Sequence, residues 1–228
     1  MTERRHGLFG PGAVAVVALF SQLLPSALLA GQEDRALALM REASARYGQV
    51  AAFCARFEQE LVVPLLRETT LSSGTLCQAR PNLFAMRFLD PPGDAVVADG
   101  ESFWVYYPSS DPRQVLQFAM DVRPGGLDFH REFLEAPEEK YSLSYLGEET
   151  VRGRRAHVIQ ADPLGDPGFT KARIWLDSER ALILQARIEM ENGSVRTVSL
   201  TDIRLNPPPD PERFTFVPPA GAQVIRRR

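Results

Sequence analysis

Asp94 and Asp99 stand on either side of Ala95–Ala98, a run that reads as a short strand. Two carboxylates flanking one element could share the acid and nucleophile roles of glycoside hydrolysis. No further motif supports that chemistry, because the chain has no GxSxG elbow, Walker loop, HExxH or GxGxxG. His6, His130 and His157 are its only histidines, too few and too scattered for a His-rich catalytic metal site. His130 and His157 read as helix-face or surface residues, and Glu138-Glu139 and Glu148-Glu149 as solvated acids beside turns. The Arg152–Arg155 run and the terminal Arg226–Arg228 read as solvated turn and tail charges. No catalytic residue, metal ligand or cofactor site emerges from these side chains.

Cys54 and Cys77, the only cysteines, offer a different chemistry. Phe53–Val63 and Thr70–Ala79 read as two strands joined near Pro64–Glu68, so the cysteines face each other across an antiparallel hairpin. An exported chain would bridge them, and closing that loop would contribute about 3 kcal/mol in the chain-entropy picture. The alternative is a pair of buried thiols. A CxxC redox motif is absent.

Export is what the first thirty residues predict. Arg4 and Arg5 precede the apolar run Ala13–Phe20, which Ser21, Gln22 and Pro25 interrupt before Leu28-Leu29-Ala30. A charged start, a short apolar stretch and a small residue at the end form a signal peptide over 1–30, with 31–228 as a single mature domain. A spanning helix would need about 20 mostly apolar residues. Leu28-Leu29-Ala30-Gly31 is followed by Gln32, where an acylated lipoprotein would need a cysteine, so the mature chain is expected to be soluble and unlipidated. At 44% hydrophobic and 24% charged the composition is that of a folded globular protein. The net charge of −3 gives no attraction for nucleic acid.

The elements that must position any site are mostly strands. Ala36, Leu39, Met40, Ala43 and Tyr47 fall on one helical face within Gln32–Tyr47, which Gly48 can end. The period then changes to two, beginning with Phe84, Met86 and Phe88 against Leu83, Ala85 and Arg87. Short strands continue at 95–98, 103–107, 114–118, 141–146, 156–160, 171–177, 181–189 and 195–205, and Arg213–Val217 reads as the last. Asp99-Gly100 and Asn192-Gly193 are hairpin turns. Arg123–Pro137 breaks the pattern, with Leu127, His130 and Leu134 on one helical face. The predicted class is α+β, mainly β: a curved antiparallel sheet with two helical segments over one side. Alternating strands usually enclose a plain core. A curved sheet with helices across its hollow would line a cavity instead.

One resemblance chooses between these. Arg80-Pro81-Asn82-Leu83-Phe84, preceded by Gly74-x-Leu76, resembles a motif of the periplasmic outer-membrane lipoprotein carriers, the LolA family. Phe53-x-Ala55-x-Phe57-x-Gln59 lies before it, Asp99-Gly100-x-x-x-Trp104-x-Tyr106-x-Pro108 after it, and Phe214-Thr215-Phe216-x-Pro218-Pro219-x-Gly221 closes the series. The stretch from about Val122 to Arg155 matches poorly. The resemblance implies an unclosed β-barrel, a half-barrel, covered by a short helical lid. Its hollow would receive the acyl chains of lipoproteins, handed over by an inner-membrane lipoprotein-releasing ABC transporter and passed to an outer-membrane acceptor. It implies a carrier rather than an enzyme, working in the periplasm without nucleotide, metal or other cofactor, and expected to be monomeric. Arg80 would bond lid carbonyls and latch the empty form. Phe57, Phe84, Met86, Phe88, Trp104 and Tyr106 would line the hollow, and Leu127, His130 and Leu134 would belong to the lid. Two rival readings remain: a lipid-sensing periplasmic domain of the same fold, and a secreted hydrolase built on Asp94 or Asp99.

Overall fold

The computed structural model describes residues 24–120 and 132–227. Leu127 and His130, and most of the expected signal peptide, lie outside the described residues. Helix α1 (Leu24–Gly48) begins ahead of the expected Gln32 and runs across the expected cleavage point. Its stripe of Ala36, Met40, Ala43 and Tyr47 is buried, with Leu39 partly buried beside it. Residues 31–35 are exposed, and Ala36 is the first residue of the stripe.

Six strands follow: β1 (Ala52–Val63), β2 (Glu68–Ala79), β3 (Leu83–Asp90), β4 (Ala95–Asp99), β5 (Ser102–Tyr106) and β6 (Gln114–Ala119). After the short helix α2 (Pro137–Lys140) come β7 (Tyr141–Val151), β8 (Arg154–Pro163), β9 (Phe169–Asp177), β10 (Ile183–Met190) and β11 (Val195–Leu205). The last strand is β12 (Gln223–Arg227). Hydrogen bonding orders them β12-β6-β5-β4-β3-β2-β1-β11-β10-β9-β8-β7 in one sheet. Every neighbouring pair is antiparallel except β12 and β6. The two edges, β12 and β7, do not pair with each other, so the sheet is an unclosed barrel.

Period two sorts the side chains onto two faces. On the inner face, one buried apolar cluster joins α1 to residues of β1 through β5 and of β7 through β11. Helix α1 lies against β7, where the Arg35 guanidinium sits 4.0 Å over the Tyr145 ring and Arg41 pairs with Glu138 of α2. The outer face holds a smaller cluster, Ala85, Ala95 and Val97, beneath Phe214 and Phe216.

Those last two phenylalanines correct the expected strand at Arg213–Val217. Pro211–Phe214 forms a turn of 3-10 helix and the chain then crosses the outer face as a strap. Pro211, Pro218 and Pro219 lack the N–H groups a ladder requires. The strap's carbonyls go to a side chain instead: Arg87 donates through Nη2 to the oxygens of Thr215 (2.7 Å) and Arg213 (3.2 Å). Arg226 and Arg227, read above as a solvated tail, belong to β12, and Arg226 Nε donates to Gln117 of β6.

The hairpin of β1 and β2 keeps an unbroken register in which Cys54 faces Cys77, and the two are disulfide-bonded. The bridge points to the outer face under the strap, where Arg213 Nη1 lies 2.8 Å from Cys54 Sγ.

Candidate functional site

The inner face is built by cross-strand rows. Phe84 of β3 pairs with Ala98 of β4, which pairs with Phe103 of β5. Met86, Val96 and Val105 form the next row. Phe84 stacks on Phe103 at 6.4 Å between centroids, and Phe57 meets Phe88 edge-on at 5.1 Å. Phe57, Phe84, Met86 and Phe88 are all buried in one cluster on this face. They form one apolar surface extending over several strands.

Trp104 and Tyr106 do not join them. The rows place these two with Ala85 and Val97 on the outer face, where their rings pack on Phe216 at 5.6 and 5.8 Å. Phe103 and Val105 take the inner positions instead, which corrects the expected lining. Trp104 also donates its indole N–H to Asp99 at 2.7 Å.

Arg80 reaches carbonyl oxygens, as expected of a guanidinium with several fixed donors. Its Nε donates to Val50 (3.0 Å) and its Nη2 to Tyr47 (3.1 Å). Those oxygens end α1, where unsatisfied carbonyls and the helix dipole favour a cation. They do not belong to the 127–134 stretch taken above for the lid; the element Arg80 holds is α1. Tyr47 anchors the same helix end from inside, its ring edge-on to Phe53 and its hydroxyl accepting from the Ile183 N–H. Burial pushes the Tyr47 phenol well above its ordinary value, so it stays neutral. Leu134 is fully buried, as is Phe133, whose ring packs against Phe169.

The two aspartates of the hydrolytic reading are turn fasteners. Asp94 accepts from the N–H and hydroxyl of Ser109. Asp99 accepts from the N–H groups of Glu101 and Ser102 as well as from Trp104. Burial alone would raise the Asp99 carboxyl, but these donors outweigh it and hold the group below its usual range. The two aspartates bracket β4 from opposite ends, so at ~3.3 Å per residue their backbones lie about 16 Å apart. Glycosidase carboxyls sit about 5–9.5 Å apart, which this pair does not meet. His157 contacts Tyr145 and Glu148. Among the described residues no three His, Cys, Asp or Glu side chains gather into a possible metal site, and no helix is long and apolar enough to cross a membrane.

A curled, unclosed sheet covered by a helix on one continuous apolar face is the fold of the LolA-like proteins. Residues 48–217 match the family described as the outer membrane lipoprotein carrier protein LolA, and the chain belongs to that family. The outer-membrane lipoprotein carrier protein of Legionella pneumophila (strain Corby) is 26% identical over 178 residues, covering 78% of this chain and 85% of that protein. The uncharacterized protein MJ0687 of Methanocaldococcus jannaschii is 27% identical over 146 residues. That alignment covers 64% of this chain and only 41% of the relative's length. An uncharacterized conserved protein from Thermus thermophilus has a solved structure of the same fold. Its TM-score is 0.52 at 15% identity, over 85% of this chain and 98% of that one.

Proposed function

We propose that this protein carries the acyl chains of lipoproteins across the periplasm on its inner face, from an inner-membrane ABC transporter to an outer-membrane acceptor. The observation behind the reading is the row structure of Phe57, Phe84, Met86, Phe88 and Phe103, an apolar surface on a sheet that does not close. Each methylene group kept from water is worth about 0.8 kcal/mol, so a long acyl chain gains on the order of 10 kcal/mol from such a face. The carrier then needs no cofactor and acts as a soluble, unlipidated monomer. Mass spectrometry of the protein isolated from the periplasm tests this directly. The expected result is a chain starting near Gly31 together with co-purifying acylated protein. A mature chain that itself bears diacylglycerol, or one that never retains an acylated species, would end the carrier reading.

In this reading Arg80 is a latch that holds α1 shut over the empty face, and entry of acyl chains breaks its two bonds. Charge-assisted bonds are worth about 1.5–3 kcal/mol each, and the exposure of Arg80 puts the pair at the low end of that range. Arg80→Leu should therefore shift the closed state by about tenfold, taking up cargo readily and handing it on poorly. Separate uptake and transfer assays check this. Parental transfer by the variant would reduce Arg80 to a helix-end fastener.

A further inference from the structure

Within Val195–Leu205 the alternate residues Val198 and Leu200 are buried in the inner cluster, and the same period places Arg196 on that face. Its ladder neighbours are Leu61 of β1 and Ile188 of β10, the latter fully buried. The curl of the sheet brings it close to Tyr107, just past β5, whose ring meets Phe88 edge-on at 5.9 Å. Nε and Nη1 of Arg196 are shut off from solvent and have no hydrogen-bond partner. No carboxylate pairs with it among the described residues; Asp94, which lies near Tyr107, has both oxygens taken by Ser109. Burial draws the guanidinium below its ordinary value, with Tyr107 opposing, but a group that starts so high remains a cation.

A half-buried cation with two of its three nitrogens shut off from water and unpaired is costly, and such donors are normally paired. Here the missing partner would arrive along an apolar surface. We propose that Arg196 receives the anionic headgroup, carboxylate or phosphate, of an acyl-chain ligand lying on the inner face. The proposal rests on the acyl-binding inner face of the carrier reading and adds a ligand class beyond its lipoprotein cargo. Ester- or amide-linked acyl chains bring no charge to this point, whereas a fatty acid or an alkyl phosphate does.

Calorimetric titration of the full chain with laurate, dodecyl phosphate and dodecanol separates head from tail. The parent should bind both anions about tenfold or more tighter than the alcohol. Arg196→Met should erase that preference, leave dodecanol binding unchanged, and unfold at the same or a higher temperature, since it removes two buried, unpaired donors. Equal binding of laurate and dodecanol by the parent would overturn the role of Arg196 and leave the carrier reading standing. Failure to bind any of the three would overturn both. Inorganic phosphate that competes as well as dodecyl phosphate would make this a site for a free oxyanion, against the proposal. Loss of dodecanol binding in Arg196→Met would show a structural residue instead.

Discussion

Phe84→Glu is expected to abolish acyl-chain binding, while Trp104→Glu leaves it intact. Both native residues are aromatic, and they belong to the same sheet, two strands apart. Phe84 is 2% exposed and stacks on Phe103 of the inner face. Phe84→Glu removes an aromatic ring whose loss from a core typically costs about 3–5 kcal/mol, and it brings a charge into a buried apolar cluster. Binding then requires an acyl chain to lie against a carboxylate. Trp104 is on the outer face under the strap, so Trp104→Glu should loosen Phe216 and stop there. The charge has its own signature. A carboxyl buried at position 84 has its folded pKa raised above the unfolded value of about 4.3, so its penalty is full at neutral pH and fades as pH falls through the raised value. The variant should therefore be relatively more stable near pH 5 than near pH 8, and Phe84→Gln should lack that dependence. Thermal unfolding at both pH values and titration with laurate check the pair. A Phe84→Glu protein that binds laurate like its parent at pH 8 would remove the inner face as the acyl site.

The outward-facing tryptophan also shows where sequence reading ends. Phe84, Met86 and Phe88 are legible because their odd-numbered neighbours include Arg87. In β5 no such contrast exists, since Phe103, Trp104, Val105 and Tyr106 are apolar at both parities and the strap covers the outer pair. Which pair faces inward then depends on the register across Pro91–Asp94, where the Phe88 N–H returns to the Asp94 carbonyl. No residue type in that connection announces this register. The cysteine pairing is readable because one tight connection sets every partner of β1 and β2. The strap is not readable, because Phe214 and Phe216 alternate like a strand while their neighbours' backbone carbonyls are bound by Arg87 from another part of the chain. Arg196 leaves only a weak trace: it shares the parity of the apolar Val198 and Leu200, but so do the charged Asp202 and Arg204.

The glycine of Gly74-x-Leu76 carries the other large effect, and it acts through space rather than conformation. Gly74 lies on the inner side of β2, in line with Leu76, at the point where the register against β3 shifts. A Cβ built there would stand 2.1 Å from the Arg87 carbonyl oxygen and 2.8 Å from a ring carbon of Phe57. The ring could turn aside, but the carbonyl belongs to the β3 backbone and can retreat only by opening the β2–β3 ladder. Opening it there moves Phe88, the ladder partner of Gly74, and with it the Phe57–Phe88 contact of the inner face. Overpacking of a well-filled core usually costs about 1–3 kcal/mol, and a clash with backbone belongs at the top of that range or beyond. Gly74→Val should therefore lower the unfolding temperature by about 6–12 °C at ~2–4 °C per kcal/mol for a chain of this size. It should weaken laurate binding as well, since the displaced strand carries the binding rows. Gly165→Ala supplies the comparison, because nothing lies within 4 Å of its added carbon and the change should be neutral or slightly stabilising. If Gly74→Val unfolds within a degree or two of the parent, β3 is not held against β2 as tightly as this geometry requires, and the inner face would have to be more deformable than its packing implies.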